Sequence, residues 1–113
     1  MPATMQSQLE RYVEEIKKIY GVHLKAVILY GSYARGDYRV DSDVDIMILV
    51  DLTDQELKEH RHELSDMTYD FNEEYDLDVK PIAKSDDHFH KWVAAYPFYK
   101  NVKEEGVILY GAA

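Results

Sequence analysis

Two runs dominate this chain, the nearly continuous apolar stretch Leu24–Tyr30 and the expected strand Asp43–Val50, whose apolar part is Ile46–Val50, and a polar segment joins them. An almost unbroken apolar run bounded by turn residues reads as a strand buried on both faces. Two such strands need cover above and below, and in a short chain that cover must come from helices. The joint is equally informative. Gly31-Ser32 closes the first run, and after a gap of ten residues Asp43-Val44-Asp45 opens the second.

The flanking sequence supplies the helices. Met5, Leu9, Tyr12, Val13, Ile16, Ile19 and Tyr20 fall on one stripe, so a helix is expected over about residues 5–20. Ser7-x-x-Glu10 has the form of a capping box, and Gly21 that of a stop. Tyr33–Gly36 reads as a short helical turn and 37–42 as a polar turn. Thr53-Asp54-Gln55-Glu56 is a second capping box, opening a long amphipathic helix through Leu57, Leu64, Met67, Phe71 and Tyr75. Leu77–Ala83 reads as a third strand, and Pro81 places it at an edge. Ser85 caps a helix through Phe89, Trp92, Val93 and Tyr96. Pro97 starts a final helix that Gly106 stops, leaving Val107–Tyr110 as a short last strand. The fold class expected is α/β (α+β), a small mixed sheet flanked by helices in one domain spanning 1–113.

Composition narrows the function. The 113 residues contain no cysteine, which removes disulfides and thiolate metal sites. Met1–Gln6 does not read as a secretory signal, no apolar run is long enough to span a bilayer, and a cytoplasmic location without membrane contact is expected. The net charge of −9 argues against a general nucleic-acid binder and suits a basic protein partner. The pairs His60-x-His62 and His88-x-His90 lack the spacing that puts two ligands on one helical face, so no zinc site is expected. Most of the ten tyrosines read as edges of the core, with Tyr96-Pro97-Phe98-Tyr99 as an alternative docking patch.

The chemistry concentrates at the joint. Residues i and i+2 of a strand share a face, so Asp43 and Asp45 project together while Val44 and Ile46 turn into a core. Paired carboxylates repel unless a cation lies between them, and their hard oxygens suit magnesium or manganese. A bare Asp-x-Asp is also what a polar turn before a strand looks like. Asp78 is the expected third carboxylate, with Asp76 as the fallback, because alternation puts Asp76, Asp78 and Lys80 on one face. Gly31 permits a tight strand-to-helix turn, and Ser32 adds a hydroxyl beside the unpaired amides of a helix start, a combination that accepts phosphate. Arg35 and Arg39 are near enough in sequence to reach the same anion.

Taken together, GSYARGDYRVDSDVDIMILV resembles the signature of nucleotidyltransferases of the DNA polymerase β-like superfamily: Gly-Ser, ten residues, then Asp-x-Asp. The Ala34-Arg35-Gly36 sequence and Ser42 before Asp43 resemble the minimal nucleotidyltransferases (MNT), a small prokaryotic branch. Size, element order, the third-strand aspartate and the Tyr-Pro-Phe-Tyr…Glu-Gly tail extend the resemblance over most of the chain.

The resemblance implies a polymerase β-like fold and a set of roles. Gly31, Ser32 and the amides that follow would hold the β- and γ-phosphates of ATP, with Arg35 nearby. Asp43 and Asp45 would bind two Mg²⁺ ions, and Asp78 would complete the site that activates an acceptor hydroxyl. It also implies an antitoxin that transfers AMP to a tyrosine of a HEPN-domain ribonuclease toxin, with a hetero-oligomer as the working assembly. Two other activities stay open at this point. One is an antitoxin acting by binding alone, and the other a catalytic subunit modifying a small molecule such as an aminoglycoside. No base-reading residue is evident in the sequence.

Overall fold

The computed structural model describes residues 3–111. The elements, in chain order, are α1 (Ala3–Tyr20), β1 (Leu24–Tyr30), α2 (Ser32–Arg35), β2 (Val44–Val50), α3 (Asp54–Glu59), α4 (Arg61–Tyr75), β3 (Val79–Ser85), α5 (Asp86–Trp92), α6 (Pro97–Glu105) and β4 (Val107–Gly111). The sheet order is β3-β2-β1-β4. β1 runs antiparallel to both β2 and β4, whereas β2 and β3 are parallel, so the sheet is mixed as expected.

The two apolar runs become the two central strands, and each buries both faces. On one face Val27 and Leu29 of β1 and Val44, Ile46, Ile48 and Val50 of β2 pack beneath α1 and α4, against Leu9, Tyr12, Ile16 and Phe71. On the other, Ala26, Ile28, Met47 and Leu49 pack beneath α5 and α6, against Phe89, Tyr99 and Val102. Helices α1 and α4 are also joined by a buried 2.7 Å hydrogen bond between the Tyr12 and Thr68 hydroxyls. Among the described residues no helix is long and apolar enough to cross a membrane.

Several boundaries differ from the sequence reading. Helix α1 is already formed at Ala3, a turn upstream of Ser7, so Ser7 and Glu10 lie inside it rather than capping it. Gly21, at φ 57°, ends it as expected. The Thr53–Glu56 capping box forms in full, with each side chain bonding the other's backbone amide. The helix it opens is nevertheless two helices, broken at His60, which ends α3 and starts α4. The His60 ring packs against Tyr20 at 5.3 Å, and its carbonyl accepts from the Leu64 amide at 3.0 Å.

Strand β3 begins two residues later than expected because the end of α4 uses the residues before it. Asp76 takes the left-handed conformation at φ 53°, and the Leu77 amide bonds back to the Asn72 carbonyl. The Asn72 side chain then pairs both backbone groups of Val79, accepting from its N–H at 2.9 Å and donating to its carbonyl at 3.2 Å. Asp76 is therefore not on the strand. Pro81 sits at the sheet edge as predicted. Helix α5 stops at Trp92, where one carbonyl accepts the amides of both Ala95 and Tyr96, and Pro97 opens α6.

Candidate active site

Gly31 is where β1 turns into α2, and its backbone (φ 76°, ψ −155°) lies in a region open in practice only to glycine. A second constraint acts at the same atom. A Cβ placed on Gly31 would run into the Asp45 carboxylate. The close approach follows from the register, because Asp45 stands directly across from Tyr30 on the antiparallel pair. The Gly31 carbonyl accepts from the Ala34 and Arg35 amides, both at 3.1 Å; the first amides of a helix have no partner within it, and Ser32 lines the cleft beside them.

The connecting loop is tied by Ser42. Its hydroxyl accepts the Arg39 amide at 2.7 Å, and its own amide donates to the Arg39 carbonyl at 3.0 Å. Asp43 follows immediately, at the mouth of β2. Asp43 and Asp45 share the sheet face that α6 covers, while Val44 and Ile46 enter the opposite core. On the parallel neighbour the Val44 amide donates to the Asp78 carbonyl at 2.9 Å, which sets the Asp78 side chain beside Asp43.

These residues open onto two adjoining clefts. The larger, of about 430 Å³, is lined by Gly31, Ser32, Arg35, Ser42, Asp43 and Asp45 on one side. Tyr30, Phe98, Asn101, Val102 and Glu105 complete it. The smaller, of about 270 Å³, is lined by Tyr33, Val40, Asp41, Ser42, Val44, Asp76, Leu77 and Asp78. Ser42 borders both. The structure thus brings Gly31, Ser32, Arg35, Asp43 and Asp45 together, sets Asp78 against Asp43 from the adjoining cleft, and leaves Asp76 at the rim of that cleft. Arg39 lines neither. The α6 residues and Tyr30 were not anticipated, although 98, 101, 102 and 105 have the spacing of one helical face.

The electrostatics show carboxylates short of positive charge. Burial raises the Asp45 pKa above the usual carboxylate range, and the Asp43 charge adds to it, with Lys80 and Arg35 only partly compensating. The Asp78 carboxyl is also raised, chiefly because it shares a hydrogen bond with Asp43. Burial and the nearby Asp45 charge push the Tyr30 phenol up to about 12, so it stays a proton donor. Arg35 is held by Asp37 at 3.3 Å and by Glu105 of α6 at 3.5 Å. Among the described residues no three carboxylate or imidazole groups converge on one metal-sized point as the side chains stand. The Asp43 and Asp78 carboxyls lie beside each other instead, and their hard oxygens are of the kind that would suit a divalent cation.

The profile of the nucleotidyltransferase domain family matches residues 9–109. The chain belongs to that family. This nucleotidyltransferase is 32% identical over 105 residues to the Methanocaldococcus jannaschii protein named "Putative protein adenylyltransferase MJ0604", covering 93% of this chain and 97% of that one. Among solved structures it is similar to a chain of a toxin–antitoxin complex with AMP-PNP, at 20% identity and a TM-score of 0.52, over 91% of this chain and 73% of that chain. It is also similar to a chain of the tri-AMPylated Shewanella oneidensis HEPN toxin in complex with MNT antitoxin. There the identity is 20% and the TM-score 0.52, over 95% of this chain and 73% of that chain. At such identity the likeness is one of fold, and it fits the four-stranded mixed sheet of a polymerase β-like nucleotidyltransferase.

Proposed function

We propose that this nucleotidyltransferase transfers AMP from ATP to a protein hydroxyl, a tyrosine of a HEPN-domain toxin, and thereby acts as its antitoxin. The observation that carries the reading is the meeting of the Gly31-Ser32 turn with Asp43, Asp45 and Asp78 where β1, β2 and β3 end or begin. The name of the Methanocaldococcus relative and the AMPylated toxin in the Shewanella complex support the acceptor class. A net charge of −9 suits a basic nuclease as partner.

In this reading Ser32 Oγ and the amides of the α2 turn hold the β- and γ-phosphates in the larger cleft. Asp43 and Asp45 hold two Mg²⁺ ions, with Asp78 completing the donor set. When bound, those ions neutralise charge on the attacking and leaving oxygens. The nucleotide and the acceptor then approach from different sides of Asp43, the nucleotide from the Ser32 cleft and the hydroxyl from the Asp78 cleft. That disposition suits in-line displacement: the acceptor oxygen bonds the α-phosphorus, its proton is lost, and the bond to pyrophosphate breaks. The chain contributes positioning and fixed charge, which is most of what phosphoryl transfer asks of a protein.

The test is incubation of the purified chain with ATP, Mg²⁺ and its cognate HEPN protein, followed by intact-mass and peptide mapping. The expected result is a toxin heavier by one or more AMP units on tyrosine, with loss of nuclease activity. No adduct, with neutralisation kept by the double variant Asp43→Asn, Asp45→Asn, would establish neutralisation by binding alone instead.

A further inference from the structure

One wall of the larger cleft has no part in the chemistry just described. Phe98, Asn101, Val102 and Glu105 recur at i, i+3, i+4 and i+7, so a single face of α6 stands opposite the motif. Val102 is buried in the core beneath this face, whereas Phe98, which lines the cleft, is 43% exposed. Its ring stands edge-on to Tyr30, with centroids 5.6 Å apart and planes at 76°. Phosphate and metal require no phenyl ring. The cleft, at about 430 Å³, is of a size that holds a whole small ligand rather than a triphosphate tail alone.

We infer that the α6 wall is the nucleobase subsite, where Phe98 stacks on a purine and Asn101 reads its edge. The inference rests on the placing of the phosphates at Gly31 and Ser32, since that placing leaves α6 as the free wall for the nucleoside. Base stacking on an aromatic ring is favourable for any base and needs no preformed hydrogen bonds. The Asn101 carboxamide carries one donor group and one acceptor. Adenine presents a donor beside an acceptor, N6–H₂ and N7, and the carboxamide matches both. Guanine presents two acceptors there, O6 and N7, and sets one of them against the Asn101 oxygen. Glu105, which would otherwise put a bare carboxylate beside the phosphates, is engaged by Arg35 at 3.5 Å. The wall therefore favours adenine over guanine.

The experiment is calorimetric titration of the full chain with Mg-ATP, Mg-GTP and Mg-tripolyphosphate, repeated on Phe98→Ala, Phe98→Tyr, Asn101→Leu and Ser32→Ala. Phe98→Ala should weaken ATP by about tenfold and leave tripolyphosphate unchanged, while Phe98→Tyr, which keeps a ring, restores ATP binding. Asn101→Leu should bring the affinities for ATP and GTP together. Asn101 is exposed, so this variant carries the test if Phe98→Ala fails to fold. ATP binding unchanged in both Phe98→Ala and Asn101→Leu overturns the inference, as does equal weakening of ATP and tripolyphosphate. Loss of toxin binding with ATP affinity kept would make the wall a protein contact and overturn it too. Ser32→Ala separates the two readings: it should weaken both ligands, and if it changes neither, it is the phosphate placement that fails.

Discussion

The Cα of Gly31 lies against the Asp45 carboxylate with no room for a side chain between them. The proposed phosphate turn and the proposed metal pair are thus one steric unit across the β1–β2 ladder. Gly31→Ala meets two penalties together: a backbone conformation costing about 1–3 kcal/mol for a residue with a side chain, and displacement of Asp45. The expected outcome is a lower Tm and a transfer rate reduced by about 10²-fold or more, the scale of a 1 Å misplacement. Thermal melts and single-turnover AMP transfer measure both. Near-parental transfer would show that Asp45 needs no fixed position.

Asp78 and Ser32 face different clefts, so their variants should fail in different ways. Asp78→Asn should lower kcat for transfer by about 10²–10³-fold with the KM for ATP little changed, because in the proposed arrangement it removes charge on the acceptor side. Ser32→Ala should chiefly raise the KM for ATP. Steady-state kinetics against ATP, with the acceptor saturating, separates the two. A common pattern in both variants would mean that the clefts act as one.

Asn72 is a positioning residue that sequence reasoning passed over. Its side chain holds both backbone groups of Val79, and the residue before Val79 is Asp78. Asn72→Leu should cost about 1–3 kcal/mol, because two backbone groups lose their partner. It should also raise the Mg²⁺ concentration needed for half-maximal transfer, which a purely structural role would leave alone. Metal titrations of the transfer rate, run well below the variant's Tm, decide between them.

How much of this was legible depended on whether the controlling contact was local. The central strands were readable because Val27, Leu29, Ile46 and Ile48 face one core while Ile28, Met47 and Leu49 face the other, leaving no polar residue inside. The Thr53–Glu56 box and the Ser85 cap are contacts across three residues and formed as read. The break at His60 was not readable, since no glycine or proline marks it and its partner Tyr20 comes from α1. The grouping of Gly31 and Ser32 with Asp43 and Asp45 could be inferred from one loop. The α6 wall could not, because residues 98–105 reach the joint through contacts distant in sequence: the β4–β1 pairing, the tight packing of Gly106 over Ile28, and Tyr99 and Val102 in the core beneath.

Acid sensitivity should arise partly at Asp51. Its carboxylate accepts from His23 Nδ1 at 2.7 Å and lies 3.4 Å from Lys25 Nζ, and these partners, His23 first, lower its pKa from 3.8. A depressed carboxyl stabilises the fold above its unfolded value and loses that contribution as pH falls through the folded value. Wild type should therefore lead Asp51→Asn in Tm at neutral pH, and the gap should close below about pH 4. The side chain is exposed and screened, so the gap should also narrow in high salt. A gap constant from neutral to strongly acid pH would assign it to something other than charge.

Tyr12 and Thr68 offer a sharper test of what ties α1 to α4. Both are buried, and burial holds the Tyr12 phenol protonated well above its ordinary range. Thr68→Val leaves the Tyr12 hydroxyl without a partner in the core and should cost about 1–3 kcal/mol, the penalty of an unsatisfied buried group. Tyr12→Phe should strand the threonine hydroxyl at a similar or smaller cost. The double variant removes both polar atoms and keeps the packing shape, so it should be more stable than the sum of the two losses predicts. Urea unfolding of the four proteins gives the coupling directly. Strict additivity would show that the 2.7 Å contact contributes nothing of its own to stability.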